Sequence, residues 1–170
     1  SENIKWKVLD ADADNTGKAN GMFLLSEYLL EQSNVSFDAD SNVWQGSDAQ
    51  AWCTAFAGSD AFTTSEKSAL KSVSKNDAQT WQYNWNWGTS SLSNEKVFYL
   101  SAEEAANYIG PNNGDEGLAT TTSDGAAGGW WLRSPLYADT GAAGSVNKDG
   151  GVEDVGVKYA GIGVRPAFNL

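Results

Sequence analysis

Ile4, Trp6 and Val8 alternate with polar residues, the period of a half-buried strand that ends near Asp10. Residues 11–20 are rich in Asp, Asn and Gly and read as a connection. The apolar run 22–25 predicts a second, more buried strand, paired with the first as an antiparallel hairpin. Residues 27–30 fit either a continued strand or a turn of helix. Over 48–56 the spacing predicts a helix: Asp48 can cap it, and Ala49, Trp52, Cys53 and Phe56 share one face. Thr63 and Glu66 form a capping box ahead of Ala69, Leu70 and Val73, predicting a helix over 64–73. A strand over 97–100 leads to the same spacing at Ser101 and Glu104, hence a third helix through Ala105 and Tyr108, stopped by Asn107, Gly110 and Pro111.

Residues 111–129 are rich in Gly, Ala, Thr and Asp and read as irregular. Strands return over 130–133, around Val146, Val152, Val155 and Val157, and over 163–168, separated by glycine-bearing turns as in an antiparallel meander. No repeat of 20–50 residues appears, and the Gly-Ala-Ala-Gly at 125–128 and 141–144 is turn chemistry. The pattern predicts one α+β domain over 1–170: an antiparallel sheet, two or three short helices and long irregular loops. Trp6, Trp52, Phe98, Trp131 and Phe168 are its expected core.

Composition removes many mechanisms. Histidine is absent and cysteine occurs once, which excludes a Ser-His-Asp triad, a Cys-His dyad, a Cys-x-x-Cys pair and His- or Cys₄-ligated zinc. Cys53 lies in apolar context and reads as core. A net charge of −11 opposes nucleic-acid binding, and no run of 18 or more apolar residues exists to insert in a membrane. Ser1 in place of Met, with no signal-like segment after it, reads as a mature form or an excised domain. Asp10, Asp12 and Asp14 invite a calcium reading. However, an EF-hand loop needs Gly and Glu where Asn15 and Gly21 stand, so a solvated turn is expected. No metal or cofactor is called for.

Arg133 and Arg165 are the only arginines, each inside an apolar segment. A guanidinium has five donors, so each reads as a structural tie, with a grip on a ligand carboxylate as the alternative. Trp81, Tyr83, Trp85 and Trp87 alternate with Gln82, Asn84 and Asn86. In one extended segment this puts aromatics on one face and amides on the other, either a sugar platform or a face packed on the core. The tail carries Tyr137, Asp139, Asn147, Asp149, Glu153, Asp154, Lys158 and Tyr159 on short turns, a workable recognition surface.

Several segments, in order, carry a family resemblance: Trp6–Asp10 with Leu24–Tyr28, Val43–Asp48 with Ala51–Trp52, Val97–Ala105, Trp130–Pro135 and Gly163–Phe168. The W-W-L-R-S-P and G-V-R-P-A-F runs are its most specific parts. Together they resemble a bacterial domain-of-unknown-function family frequent in surface proteins of gut Gram-positive bacteria. The resemblance implies a C-type-lectin-like fold, distantly related to formylglycine-generating enzymes and similar to the variable proteins of diversity-generating retroelements, whose C-terminal loops bind ligand. The single early cysteine departs from the enzymatic relatives, and the Glu-Pro-Asn and Trp-Asn-Asp motifs of calcium-dependent lectins are missing. Residues 76–92, usually rich in Ser, Thr and Tyr, are here rich in Trp.

The expectation is a non-catalytic, extracellular or cell-surface domain that binds a protein or glycan. Its contacts would be Tyr137, Asp139, Asn147, Asp149, Glu153, Asp154, Lys158 and Tyr159, with Trp85 and Trp87 outlying and Arg133, Arg165 and Trp131 structural. Two alternatives stay open: a small glycoside hydrolase using two carboxylates about 5–10 Å apart, and a structural module of a larger surface protein.

Overall fold

A computed structural model describes residues 4–19, 21–31 and 35–170. The expected opening hairpin is present: β1 (Trp6–Asp10) pairs antiparallel with β2 (Phe23–Ser26). Asn20, in the connection between them, lies outside the described residues. That connection is no purely solvated turn, because Asp14 and Asn15 are buried. Burial would raise the Asp14 carboxyl, but donors from Thr16 and Lys18 hold it below its ordinary value. Residues 27–30 form bends, neither strand nor helix, with Leu29 bridging Thr122.

Helix α1 (Asp48–Gly58) is capped by the hydroxyl of Ser47, which leaves Asp48 as the first helical residue. Helix α2 (Thr64–Ala69) has the expected Thr63–Glu66 capping box but is shorter than predicted. Leu70 ends it, and Val73 instead opens β3 (Val73–Asp77). Three strands that the pattern does not show follow: β4 (Thr80–Gln82), β5 (Trp85–Trp87) and β6 (Ser90–Glu95). Then come β7 (Val97–Phe98) and α3 (Ala102–Tyr108), the latter with its Ser101–Glu104 box. The irregular stretch contains one small hairpin, β8 (Thr120–Thr121) with β9 (Ala127–Gly128). The tail supplies β10 (Trp130–Pro135), β11 (Ala142–Val146), β12 (Val152–Gly156) and β13 (Ala167–Asn169).

Strand pairing is antiparallel throughout these elements, and the class is α+β. One sheet has the order β1-β2-β13-β7, which joins the first and last strands through β2. The C-terminal strand starts at Ala167, later than the expected 163, and the Trp6 ring meets Phe168 edge-on at 4.6 Å. Phe56 of α1 and Phe62 of the α1–α2 corner complete that aromatic group. Helix α2 has no buried residue, so only α1 of the two lays a face on the core. Phe98, Trp131 and Phe168 are buried as expected, whereas Trp6 and Trp52 are half-buried at its margin.

The second sheet, β10-β11-β12, is built around a strand in which every residue is buried, Arg133 included. A buried guanidinium is tolerated only with opposite charge and hydrogen-bond acceptors around it. Arg133 bonds Asp77 of β3, Glu104 of α3 and the Tyr99 carbonyl. Lys75 closes the ring, with Nζ 3.0 Å from Asp77 Oδ1 and 2.8 Å from Glu104 Oε1. Asn15 then donates to Glu104 at 2.8 Å, and Asn169 donates to Asn15 at 2.6 Å. Two cations and two carboxylates therefore sit in balance where five separate segments meet.

Burial alone would raise the Glu104 carboxyl; Arg133 and Lys75 bring it down to about 2, from 4.5 in the free chain. The stability this supplies, about 3 kcal/mol, is complete above pH 4.5 and is lost as pH falls toward 2. Urea unfolding across that window should show the loss. Glu104→Gln should flatten the slope and destabilise by about 3–5 kcal/mol, since it leaves the buried Arg133 and the half-buried Lys75 to share the single Asp77 carboxylate. Trp131 is fully buried and its Nε1 donates to the Val35 carbonyl at 2.9 Å. Trp131→Ala should cost about 3–5 kcal/mol; a melting temperature equal to the parent's would refute its place in the core.

Candidate ligand-binding face

The tryptophan stretch is a hairpin, not one extended face. Tyr83 and Asn84 both have positive φ, 56° and 66°, the two-residue turn that lets β4 fold back on β5. Neither is glycine, and for tyrosine this backbone is unfavourable. Burial of its ring and a hydroxyl donated to the Gly110 carbonyl hold Tyr83 there. Burial also pushes its phenol well up from the ordinary value.

Folding back reverses the expected pattern. Trp87 is fully buried, its ring so close over Gly144 that a Cβ there would lie 3.2 Å from it. As an expected ligand contact it is corrected: it is a core residue, held by Nε1 donating to the Gln82 carbonyl. Trp85 is half-buried beside it, with Nε1 bonded to the Val152 carbonyl at 3.1 Å. The outward aromatic is Trp81, 69% exposed, a member of the expected four-aromatic platform though not of the expected contact set. Trp81 stands opposite Asn86 in the hairpin.

Beyond β10 the chain continues beside β5. Trp87 bridges Leu136, and the Tyr137 N–H donates to the Asn86 carbonyl at 3.0 Å. Tyr137 is 59% exposed. Trp81, Asn86 and Tyr137 thus form a row across three adjacent segments, at right angles to the chain. At one interstrand spacing per step, the backbone positions that carry the two rings stand about 10 Å apart.

The row is rigidly mounted. Asn42 is buried beneath the 136–142 turn and donates Nδ2 to the carbonyls of Leu136, Asp139 and Ala142 at 3.1, 2.9 and 2.7 Å. Its own N–H donates to the Thr140 carbonyl. Nothing in the sequence around Asn42 signals this, because its partners lie about a hundred residues away. Past that turn, Asp139 caps the Gly141 N–H, Gly141 accepts from Val157, and the exposed Lys158 and Tyr159 follow.

The remaining expected contacts lie elsewhere. Asn147 and Asp149 sit on the opposite turn of the β11–β12 hairpin, beyond five-residue strands. Asn147 spends its Oδ1 on the Asp149 and Gly151 N–H groups, which makes it a turn-former. Glu153 and Asp154 are half-buried within β12. The structure therefore brings Tyr137, Asp139, Lys158 and Tyr159 to one end and leaves Asn147 and Asp149 at the other.

Two grooves lie on the other sheet's side. One of about 510 Å³ is bounded by Lys5, Tyr28 and Ser123, and one of about 730 Å³ by Trp6, Phe62 and Phe168. Arg165 is buried, with Nε donating to the Ser26 carbonyl at 2.9 Å and its guanidinium 5.1 Å over the Trp130 ring. Burial brings it down to about 10, against the attraction of the Glu27 carboxylate. The buried carboxylates Asp77 and Glu104 are both engaged by Arg133 and Lys75.

Removing the Asn42 amide should take from the Leu136 carbonyl its side-chain donor and from the Asp139 and Ala142 carbonyls a second donor beside their backbone N–H partners. Asn42→Ala is expected to cost about 1–3 kcal/mol. Amide exchange should speed up over residues 136–142 and leave the β11–β12 turn at 147–151 unchanged; uniform exchange across both would show that Asn42 does not pin the turn.

No curated protein and no solved structure matches this chain. A family model does, over residues 19–170, and that span includes every strand after β1, all three helices and the whole row. The chain belongs to the family described as Domain of unknown function (DUF6273).

Proposed function

We propose that this chain is a non-catalytic ligand-binding domain of C-type-lectin-like plan, acting outside the cell or on its surface. The outward row Trp81–Asn86–Tyr137 carries the reading. Large aromatic side chains normally bury themselves, and two held open on hydrogen-bonded strands present contact area with little conformational entropy left to lose. Asp139, Lys158 and Tyr159 extend the same end of the sheet and serve as its rim.

Three features support the lectin-like plan: first and last strands joined in one sheet, α1 against that sheet, and long irregular loops on a second small sheet. The resemblance to variable proteins of diversity-generating retroelements adds that C-terminal loops form the binding end. The −11 charge makes a neutral or basic protein or glycan the fitting partner and opposes nucleic acid.

The test is an array of glycans and host proteins, read with the parent and a Trp81→Ala/Tyr137→Ala double variant. The variant should lose at least about tenfold in affinity for whatever the parent holds. Its stability should change by no more than about 0.5 kcal/mol, since both rings are exposed. Undiminished binding by the double variant would move the site away from the row.

A further inference from the structure

We propose that the row recognises a neutral, extended β-1,4-linked glycan, with Trp81 and Tyr137 each lying under one pyranose ring and Asn86 bonding the hydroxyls between them. This rests on the reading of the row as the binding site.

A pyranose ring offers a flat face of C–H groups and a rim of hydroxyls. It is held best by an aromatic face with an amide at its edge. The row supplies that in the order ring, amide, ring. Gln79 Nε2 donates to Asn86 Oδ1 at 3.2 Å, which fixes the amide and turns its Nδ2 hydrogens away from Gln79. No group among the described residues accepts from that Nδ2.

Spacing selects the linkage. The backbone positions that carry the rings are two interstrand steps, about 10 Å, apart. Successive sugars of an extended β-1,4 chain advance by about one such step and flip over each time. Sugars n and n+2 then present the same face, one to Trp81 and one to Tyr137, while sugar n+1 turns its hydroxyls toward Asn86. An α-1,4 chain curls and cannot keep two like faces in line.

A protein partner fits this surface less well. Stable protein interfaces bury about 800 Å² on each side around a contiguous apolar centre. Among the described residues the exposed large apolar side chains are few: Trp81, Tyr137 and Tyr159, with Val8 and Val43 besides. The row is one residue wide, which suits a linear ligand. Net charge and Asp139 on the adjoining turn favour a neutral glycan over one bearing carboxylates or sulfates.

The experiment titrates the whole chain with cellohexaose, chitohexaose and maltohexaose, followed by calorimetry and by amide and indole NMR shifts. At least one β-linked hexasaccharide should bind at least about tenfold more tightly than maltohexaose and shift the Trp81 indole signal. Trp81→Ala should weaken it at least about tenfold, whereas Tyr137→Phe, which keeps the ring, should leave it within about twofold. The proposal is overturned if no β-linked hexasaccharide binds, if maltohexaose binds equally, or if Trp81→Ala binds like the parent. Should the saccharides fail while the array yields a protein that the double variant releases, the glycan inference falls and the binding reading stands. Should the double variant keep every array ligand, both fall.

Discussion

The closed ring of Arg133, Glu104, Lys75 and Asp77 is the constraint on which the rest of the molecule depends. Taking four charges out of water is costly, and their attraction offsets that cost only if every partner is in place. The ring therefore acts less as a source of stability than as a specification: β3, β10 and α3 must meet at one register or leave a buried charge alone. Through Asn15 and Asn169 it also fixes the first connection against the last strand. From that node two arms run outward. Asp77 is four residues ahead of Trp81 and Arg133 is four residues ahead of Tyr137, so one ion pair sets the starting point of both arms that carry the exposed rings.

Between node and rim, the arms are kept from collapsing by two pieces of close packing. Trp85 and Trp87 point inward and fill the space beneath the hairpin, which forces their strand neighbour Asn86 outward. That requires a position without a side chain on the facing strand, and Gly144 is it. Beneath the other arm, the Asn42 amide reaches three carbonyls of the turn after β10 and adds to the backbone bonds that the turn makes itself. Exposed aromatics on a flexible loop would fold down onto the surface. Here both directions of collapse are already occupied.

How much of this the sequence discloses depends on the range of the interaction. The two capping boxes are local, three residues apart, and both are present. The opening hairpin and β10 follow from apolar patterning. Helix α2 stops early because Val73 is claimed by pairing with β6, a tertiary demand that overrides the continuing apolar spacing. Strands β3 and β6 are invisible in advance since they read as polar; Lys75 and Asp77 belong to a buried ring whose other half lies 29 and 56 residues away. The tryptophan stretch misleads for a related reason. Its turn residues are Tyr and Asn rather than Asn-Gly, so the alternation reads as one strand, and every aromatic after the turn is assigned the wrong neighbours.

The division of the tail follows from the same physics. A five-residue hairpin has two ends, and polar side chains at each end look alike in a sequence. They differ in what their atoms already do. Asn147 gives its carbonyl oxygen to two backbone N–H groups, Lys148 and Asp149 neutralise each other in solvent, and Gly150 takes the positive φ that closes the turn. That end is complete in itself. At the other end Asn42, Asp139 and Gly141 satisfy the backbone, while the side chains of Trp81 and Tyr137 stand mostly exposed. The two ends thus differ in what they leave open: self-satisfied polar turn-formers at one, two exposed aromatic rings at the other.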